Sequence, residues 1–233
     1  MATGSYDANG IWQYGEDDNI ALFSDLLNLA TESTSDAFTD DRARIATLEG
    51  SSLSGLIPVV ASSISYAGTS AAVNTLGAIS LNAVTSISIN GVFTPSYRNY
   101  RIVWTGVSSV GAGINLLFKL RKSGVDTSTS VYDRTGILTR TLTGTVDSYS
   151  VNGASVGMFS SSTLGGSGFT DLYSPQVSMQ TTMINQNVTY DGSTLYNSYQ
   201  GYQHKLVDSY DGFTLTASSG NFSGLLTIYA YND

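Results

Sequence analysis

"ISLNAVTSISING", residues 79–91, sets apolar side chains against polar ones with a period of two. That is the spacing of a half-buried β-strand, because successive side chains leave a strand on opposite faces. The same rhythm continues on both sides. In "YRIVWTGVS" (100–108), Ile102 and Trp104 stand against Arg101, Val103 and Thr105. In "NLLFKLRKSG" (115–124), Leu116, Phe118 and Leu120 share one face, and Lys119 and Arg121 the other. The ending "GFTLTASSGNFSGLLTIYAYND" (212–233) reads as two strands around a Ser-Gly-Asn turn, with Leu226, Ile228 and Ala230 opposite Thr227, Tyr229 and Tyr231. Strands recurring roughly every 8 to 15 residues, with Gly-rich turns between them, predict an antiparallel β-sandwich or jelly roll over residues 79–233.

The rest of the chain has a different character. Residues 1–50 hold ten acids (Asp7, Glu16, Asp17, Asp18, Asp25, Glu32, Asp36, Asp40, Asp41, Glu49) against Arg42 and Arg44, which accounts for the whole net charge of −8. "ANGIWQYGEDDN" (8–19) reads as an aromatic strand or hook running into an acidic helix N-terminus, where the helix dipole favours Glu16, Asp17 and Asp18. A Gly- and Pro-free stretch follows up to Gly50, with Leu27, Phe38, Ile45 and Leu48 in the a and d slots of one heptad frame and Thr31, Thr34 and Asp41 as polar layers. So sparse a seam predicts a short helical coiled-coil stem shared between chains; the alternative is one amphipathic helix packed on its own domain. Residues 51–78 carry no charge and read as an extended connector. The expected class is therefore mainly β, with a stem at 1–50, a connector at 51–78 and a head at 79–233.

Composition narrows the functions. Only 12% of residues are charged, about half the usual share. The acidic balance, with no basic cluster, argues against nucleic acid as a partner. Cysteine is absent, so a disulfide framework and a thiolate metal site are excluded. "MATGSYDANG" has no basic start followed by an apolar run, so no cleavable signal is expected, nor any membrane insertion.

Catalytic machinery finds little to work with. His204 is the one histidine, no Gly-x-Ser-x-Gly elbow occurs, and a structural or interfacial role for the imidazole is expected. Two carboxylate pairs are conceivable for glycoside hydrolysis, Asp208 with Asp211 and Asp171 with Asp191, but Asp191 and Asp211 precede glycines in turn-forming "YDGS" and "YDGF". "EDDN" (16–19) lacks the alternating spacing of a calcium loop, and "TLGGSGF" (163–169) lacks the lysine of a phosphate loop. No enzyme, cofactor or metal is expected.

One stretch carries recognition chemistry. "YDGSTLYNSYQGYQHKLVDSY" (190–210) holds Tyr190, Tyr196, Tyr199 and Tyr202 among Gly, Ser, Asn and Gln, with His204 close behind. Tyrosine faces stack on sugars while amides and hydroxyls bond their hydroxyl groups. Tyrosine is equally at home in strands and subunit interfaces. Parity puts Tyr196, Tyr202 and His204 on one face and Tyr199 on the other, unless Gly201 marks a bulge. These five residues are the candidate ligand-binding set, with core or interface packing as the alternative.

"LGAISLNAVTSISINGVFTPSYRNYRIVWTGVSS" (76–109) resembles a recurrent segment of tail-fibre and minor tail proteins of tailed bacteriophages. "SGLLTIYAYN" (223–232) resembles the terminal strand of such domains, and "NGIWQYGEDDNIALFSDLLN" (9–28) is similar to N-terminal segments of minor tail proteins from phages of actinobacteria. The resemblance implies a homotrimeric virion appendage, assembled in the host bacterial cytoplasm, with a β-rich head that meets a host cell-surface glycan or envelope component. On this reading Trp12 and Tyr14 seat the N-terminus on other virion tail or capsid proteins, and Leu27, Phe38, Ile45 and Leu48 hold the trimer stem. The alternatives are a capsid decoration or neck fibre without a receptor and, more remotely, a glycan-degrading tailspike enzyme.

Overall fold

The stretch that opens the sequence argument is strand β5 (Ile79–Asn90), with Ile79, Leu81, Val84, Ile87 and Ile89 buried. The computed structural model describes residues 4–10, 12–14, 39–40, 55–110, 114–127, 131–141, 146–148, 151–161 and 163–232. The chain divides into two units, Met1–Ser52 and Leu53–Asp233.

In the first unit, β1 (Gly4–Tyr6) and β2 (Trp12–Tyr14) form an antiparallel hairpin with Tyr6 opposite Trp12. Its turn is held by Asp7, whose Oδ1 accepts from Asn9 N at 2.9 Å and whose carbonyl accepts from Gly10 N at 3.0 Å. Trp12 and Tyr14 thus lie in a strand, as the strand-or-hook reading expected. Thr39 and Asp40 are helical. The stem positions Leu27, Phe38, Ile45 and Leu48 lie outside the described residues, as does "EDDN".

The second unit is one antiparallel sheet that doubles back on itself into a sandwich. Besides β5 it contains β3 (Gly55–Pro58), β4 (Ser63–Val73), β6 (Asn99–Ser109), β7 (Ile114–Lys122), β8 (Val125–Asp126), β9 (Tyr132–Arg140), β10 (Val146–Ser148) and β11 (Val151–Gly153). It continues with β12 (Val156–Ser161), β13 (Gly166–Tyr173), β14 (Met179–Tyr190), β15 (Leu195–Asp208), β16 (Gly212–Ala217) and β17 (Phe222–Asn232). The strand order is β10-β9-β15-β14-β13-β6-β17-β5-β16-β7-β12, with β11 on β9, β3 on β17, β4 on β5 and β8 on β7.

The sheet turns its corner at β5. Residues 79–84 of β5 pair with β17, and residues 86–89 pair with β16. Between them the alternation slips: Ala83 has a φ of +48° and the β4 partner register shifts between Ala67 and Gly68. A bulge of this kind bends a strand and lets it pass from one layer to the other. Gly68 is required there, because a Cβ would lie 2.4 Å from Ala83 O and 2.5 Å from Val84 Cα.

The layers close over Phe93, Tyr100, Ile102, Trp104, Phe118, Tyr132, Leu172, Phe213 and Leu215, all buried in a single apolar cluster. Phe213 stacks between Phe93 and Phe118, with ring centroids 5.9 and 5.2 Å away. Tyr132 of β9 reaches the opposite layer, where its hydroxyl accepts from Leu120 N of β7 at 2.8 Å; burial pushes its phenol up to about 12.

One expectation changes. Residues 55–58 and 63–73, read as connector, are strands of the sandwich, hydrogen-bonded to β17 and β5. A lack of charge is as compatible with strand pairing as with a linker, since backbone groups form the ladder. Arg121, set with Lys119 on the face opposite Leu116, Phe118 and Leu120, is buried. Its guanidinium donates to Thr214 Oγ1 at 2.7 Å, Ser88 Oγ at 2.9 Å and Asn90 Oδ1 at 3.0 Å, and it pairs with Asp126. Those acceptors, on β5 and β16, supply the partners a buried guanidinium needs.

Candidate functional site

The tyrosine stretch folds as the end of β14, a tight turn and β15. Asp191 builds the turn: one carboxylate oxygen accepts from Ser193 N, Thr194 N and Ser193 Oγ at 2.8–2.9 Å, and the other from Tyr196 Oη at 2.9 Å. These bonds, the backbone amide of Thr194 foremost, hold its acid far below the usual carboxylate range. Tyr190 is exposed and donates to Gly192 O at 2.8 Å.

Along β15 the parity argument holds. Gly201 is paired with Ile184 on β14 and Thr135 on β9 with no register shift, so it is not a bulge. Tyr199 points outward and is 53% exposed, whereas Tyr202 and His204 point inward and are 2% and 0% exposed. This corrects the candidate set: Tyr202 and His204 belong to the core. Tyr202 bonds Gln200 beside it, and His204 sits edge-on between Tyr132 and Tyr210, with ring centroids 4.5 and 5.0 Å away. Tyr196 is half-buried, with the Arg140 guanidinium 5.7 Å from its ring centroid. Tyr190, Tyr196 and Tyr199 keep solvent contact.

Register shows what accompanies Tyr199 on the outer face. Its row across the sheet is Val103, Phe169, Gln186, Tyr199 and Ile137. The next row is Arg101, Asp171, Ile184, Gly201 and Thr135, and the one after it Asn99, Tyr173, Thr182, Gln203 and Asp133. Arg101 makes a two-pronged ion pair with Asp171, both contacts 2.7 Å, and its Cζ lies 4.3 Å from the Phe169 ring centroid. Tyr231 donates to the same carboxylate at 2.8 Å. The bonds to Asp171 raise the Arg101 pKa, and burial raises that of Tyr231. Tyr173 is 37% exposed; its phenol is raised first by burial and then by the Asp171 charge, with Tyr199 adding to the effect. The face therefore combines exposed phenols, amides, hydroxyls and a neutralised ion pair. Sequence reasoning found Tyr199 and missed Tyr173, Phe169, Arg101 and Gln186. The Arg101–Asp171 pair spans 70 residues, and no local pattern announces it.

The carboxylates weighed for hydrolysis have other duties. Asp208 pairs with Lys122 at 2.6 Å, and this contact lowers its pKa. Asp211 accepts from Ser123 N at 2.9 Å, and Asp171 and Asp191 are bonded as described. "TLGGSGF" feeds into β13, where Gly166–Phe169 pair with β14. Among the described residues no group of three His, Asp or Glu side chains could hold a metal ion.

No family model matches this chain, and no curated protein matches it. Among solved structures it is similar to the Emp47p carbohydrate recognition domain, at 14% identity and a TM-score of 0.30, over 78% of this chain and 99% of that one. It is also similar to the C-terminal CBM6 of LamC from Zobellia galactanivorans, at 17% identity and a TM-score of 0.26, over 75% and 98%. A third is domain 4 of the arabinanase AbnA from Geobacillus stearothermophilus, at 14% identity and a TM-score of 0.33, over 76% and 92%. Scores this low carry no inference about ligand or site. The mainly β, antiparallel class rests on the strand pairing itself.

Proposed function

We propose that this chain is a non-enzymatic virion protein of a bacteriophage, a tail fibre or minor tail protein that attaches to a host cell-surface glycan through the outer face of its sandwich. The observation that carries the reading is the placement of the exposed tyrosines. The chain enters the β unit at β3, where Gly55 pairs with Asn232 at the end of β17. Following the register from β17 through β6 and β13 to β14, the Tyr190–Leu195 hairpin falls at the opposite end. The register places Gly55 at the level of about residue 181 of β14, nine residues from Tyr190, so the two ends lie about 30 Å apart at roughly 3.3 Å per residue. Tyr190, Leu195, Val188 and Tyr199 are exposed along this far half, and exposed Tyr173 and Thr182 continue the same outer face back toward the level of Gly55, so the face is open to contact along its length.

The N-terminal segment supports the rest of the reading through its resemblance to phage minor tail proteins. Its partners would be other virion proteins, and three copies would present three faces at once, so that weak single contacts combine. In the test, purified full-length protein is applied to host cells and its solution mass is measured. Saturable binding that competes with phage adsorption is expected, with a mass three times the chain's 24.6 kDa. Tyr199→Ala should weaken cell binding about tenfold or more, the usual cost of truncating an aromatic anchor. A folded protein that binds no cells would sink adhesion in favour of decoration, and a mass of one chain would sink the trimer.

A further inference from the structure

Gly201 sits in the middle of a fourteen-residue strand and has no structural reason to be glycine. Mid-strand glycines normally mark a bulge, a strained backbone or a close approach by another backbone or a ligand. The register through Gly201 is continuous, which excludes a bulge. It is absent from the positive-φ glycines, and a Cβ placed on it would meet nothing within 4 Å. The contrast with its neighbours is sharp. A Cβ on Gly168 would lie 2.3 Å from Gln186 O, and one on Gly212 would lie 2.1 Å from Ile89 O. At Gly201 the fold would accept a β-branched residue, which packs better on a pleated surface.

What glycine does provide is room. Gly201 lies in a depression of about 320 Å³, bordered by Asp133, Arg134, Thr135, Thr182, Tyr202 and Gln203. That is the small end of the range for ligand sites, roughly 300–1,000 Å³. Tyr199 stands one outward position along the strand, about 7 Å away at the usual rise. The hydroxyls of Thr135 and Thr182, the Gln203 amide and the Asp133 carboxylate can each bond a hydroxyl group. Asp133 is paired with Lys205 at 3.1 Å, and the Arg134 side of the depression adds a cation to its border.

We propose that Gly201 is the floor of a seat for a single neutral pyranose ring, with its apolar face toward Tyr199 and its hydroxyls toward Asp133, Thr135, Thr182 and Gln203. The inference rests on the adhesion reading and names the place and class of the ligand. It is tested with full-length Gly201→Ala and Gly201→Val on an array of neutral and acidic oligosaccharides, followed by titration with the tightest neutral binder and thermal melts of each variant. The expected result is at least tenfold weaker binding for Gly201→Val, an intermediate loss for Gly201→Ala, and melting points equal to or above that of the native protein.

Native affinity in Gly201→Val, alongside a loss in Tyr199→Ala, would overturn the seat and leave adhesion standing. A lowered melting point in Gly201→Val would also overturn it, by giving the glycine a structural role. Cell binding without any neutral glycan partner would overturn the ligand class. No binding to cells or to glycans would remove the adhesion reading and the seat together.

Discussion

Phe213→Ala is expected to destabilise the sandwich by about 3–5 kcal/mol, the range for deleting a fully buried aromatic ring. Phe213 is 0% exposed on β16, the short strand wedged between β5 and β7. Its ring stacks between Phe93, in the connection after β5, and Phe118 of β7, so removing it leaves a cavity that these two buried neighbours cannot fill without moving backbone. For a domain of this size, the melting point should fall by roughly 10 °C. Phe213→Leu, which retains most of the volume, should cost far less. A melting point for Phe213→Ala within a degree or two of the native value would mean that this aromatic stack does not hold the two layers together.

Acid should weaken the fold through His204 in a window that can be told apart from the carboxylates. The imidazole is fully buried, its Nδ1 is 3.2 Å from Tyr210 Oη, and its Nε2 has no partner. Desolvation therefore disfavours the charged form and lowers the pKa to about 4. An unfolded chain takes up the proton near 6.5, well before the folded one does, so stability is lost as pH falls from about 6.5 to about 4. The loss is at most about 3 kcal/mol, at 1.36 kcal/mol per pKa unit. Asp191 and Asp208 have lowered values, so their contributions are present above the unfolded carboxylate range and vanish at lower pH. Denaturant unfolding across this range should flatten in His204→Phe. Because the chain has one histidine, its imidazole resonance can be followed directly, and a titration midpoint near 6.5 in the folded protein would disprove the account.

Much of this protein can be read locally. The period-two alternation in "ISLNAVTSISING" and its companions requires strands, since only a strand sends every second side chain to the same side. The same rule separates Tyr199 from Tyr202 and His204, and the structure keeps that separation. Alternation alone does not say which face is buried. The even face of β15 turned inward because Met183, Thr181 and Asn185 of β14 are buried beside it, with Thr170 of β13 beneath. Asn185 and Asn187, polar enough to pass for surface residues, are buried as well. They survive there because Asn185 donates to Thr170 Oγ1 and Asn187 to Asn185 Oδ1, both at 2.8 Å.

By itself, then, the chain's sequence determined the β class, the division of the tyrosines between two faces and the poverty of catalytic groups, because each follows from residue type and spacing along a few positions. Only the tertiary structure decided that 55–73 joins the sandwich, that Arg121 is buried, and that Tyr173, Phe169 and the Arg101–Asp171 pair share a face with Tyr199. Those facts depend on which strands lie side by side, and pairing between segments 70 residues apart is settled by the closing of the whole sheet.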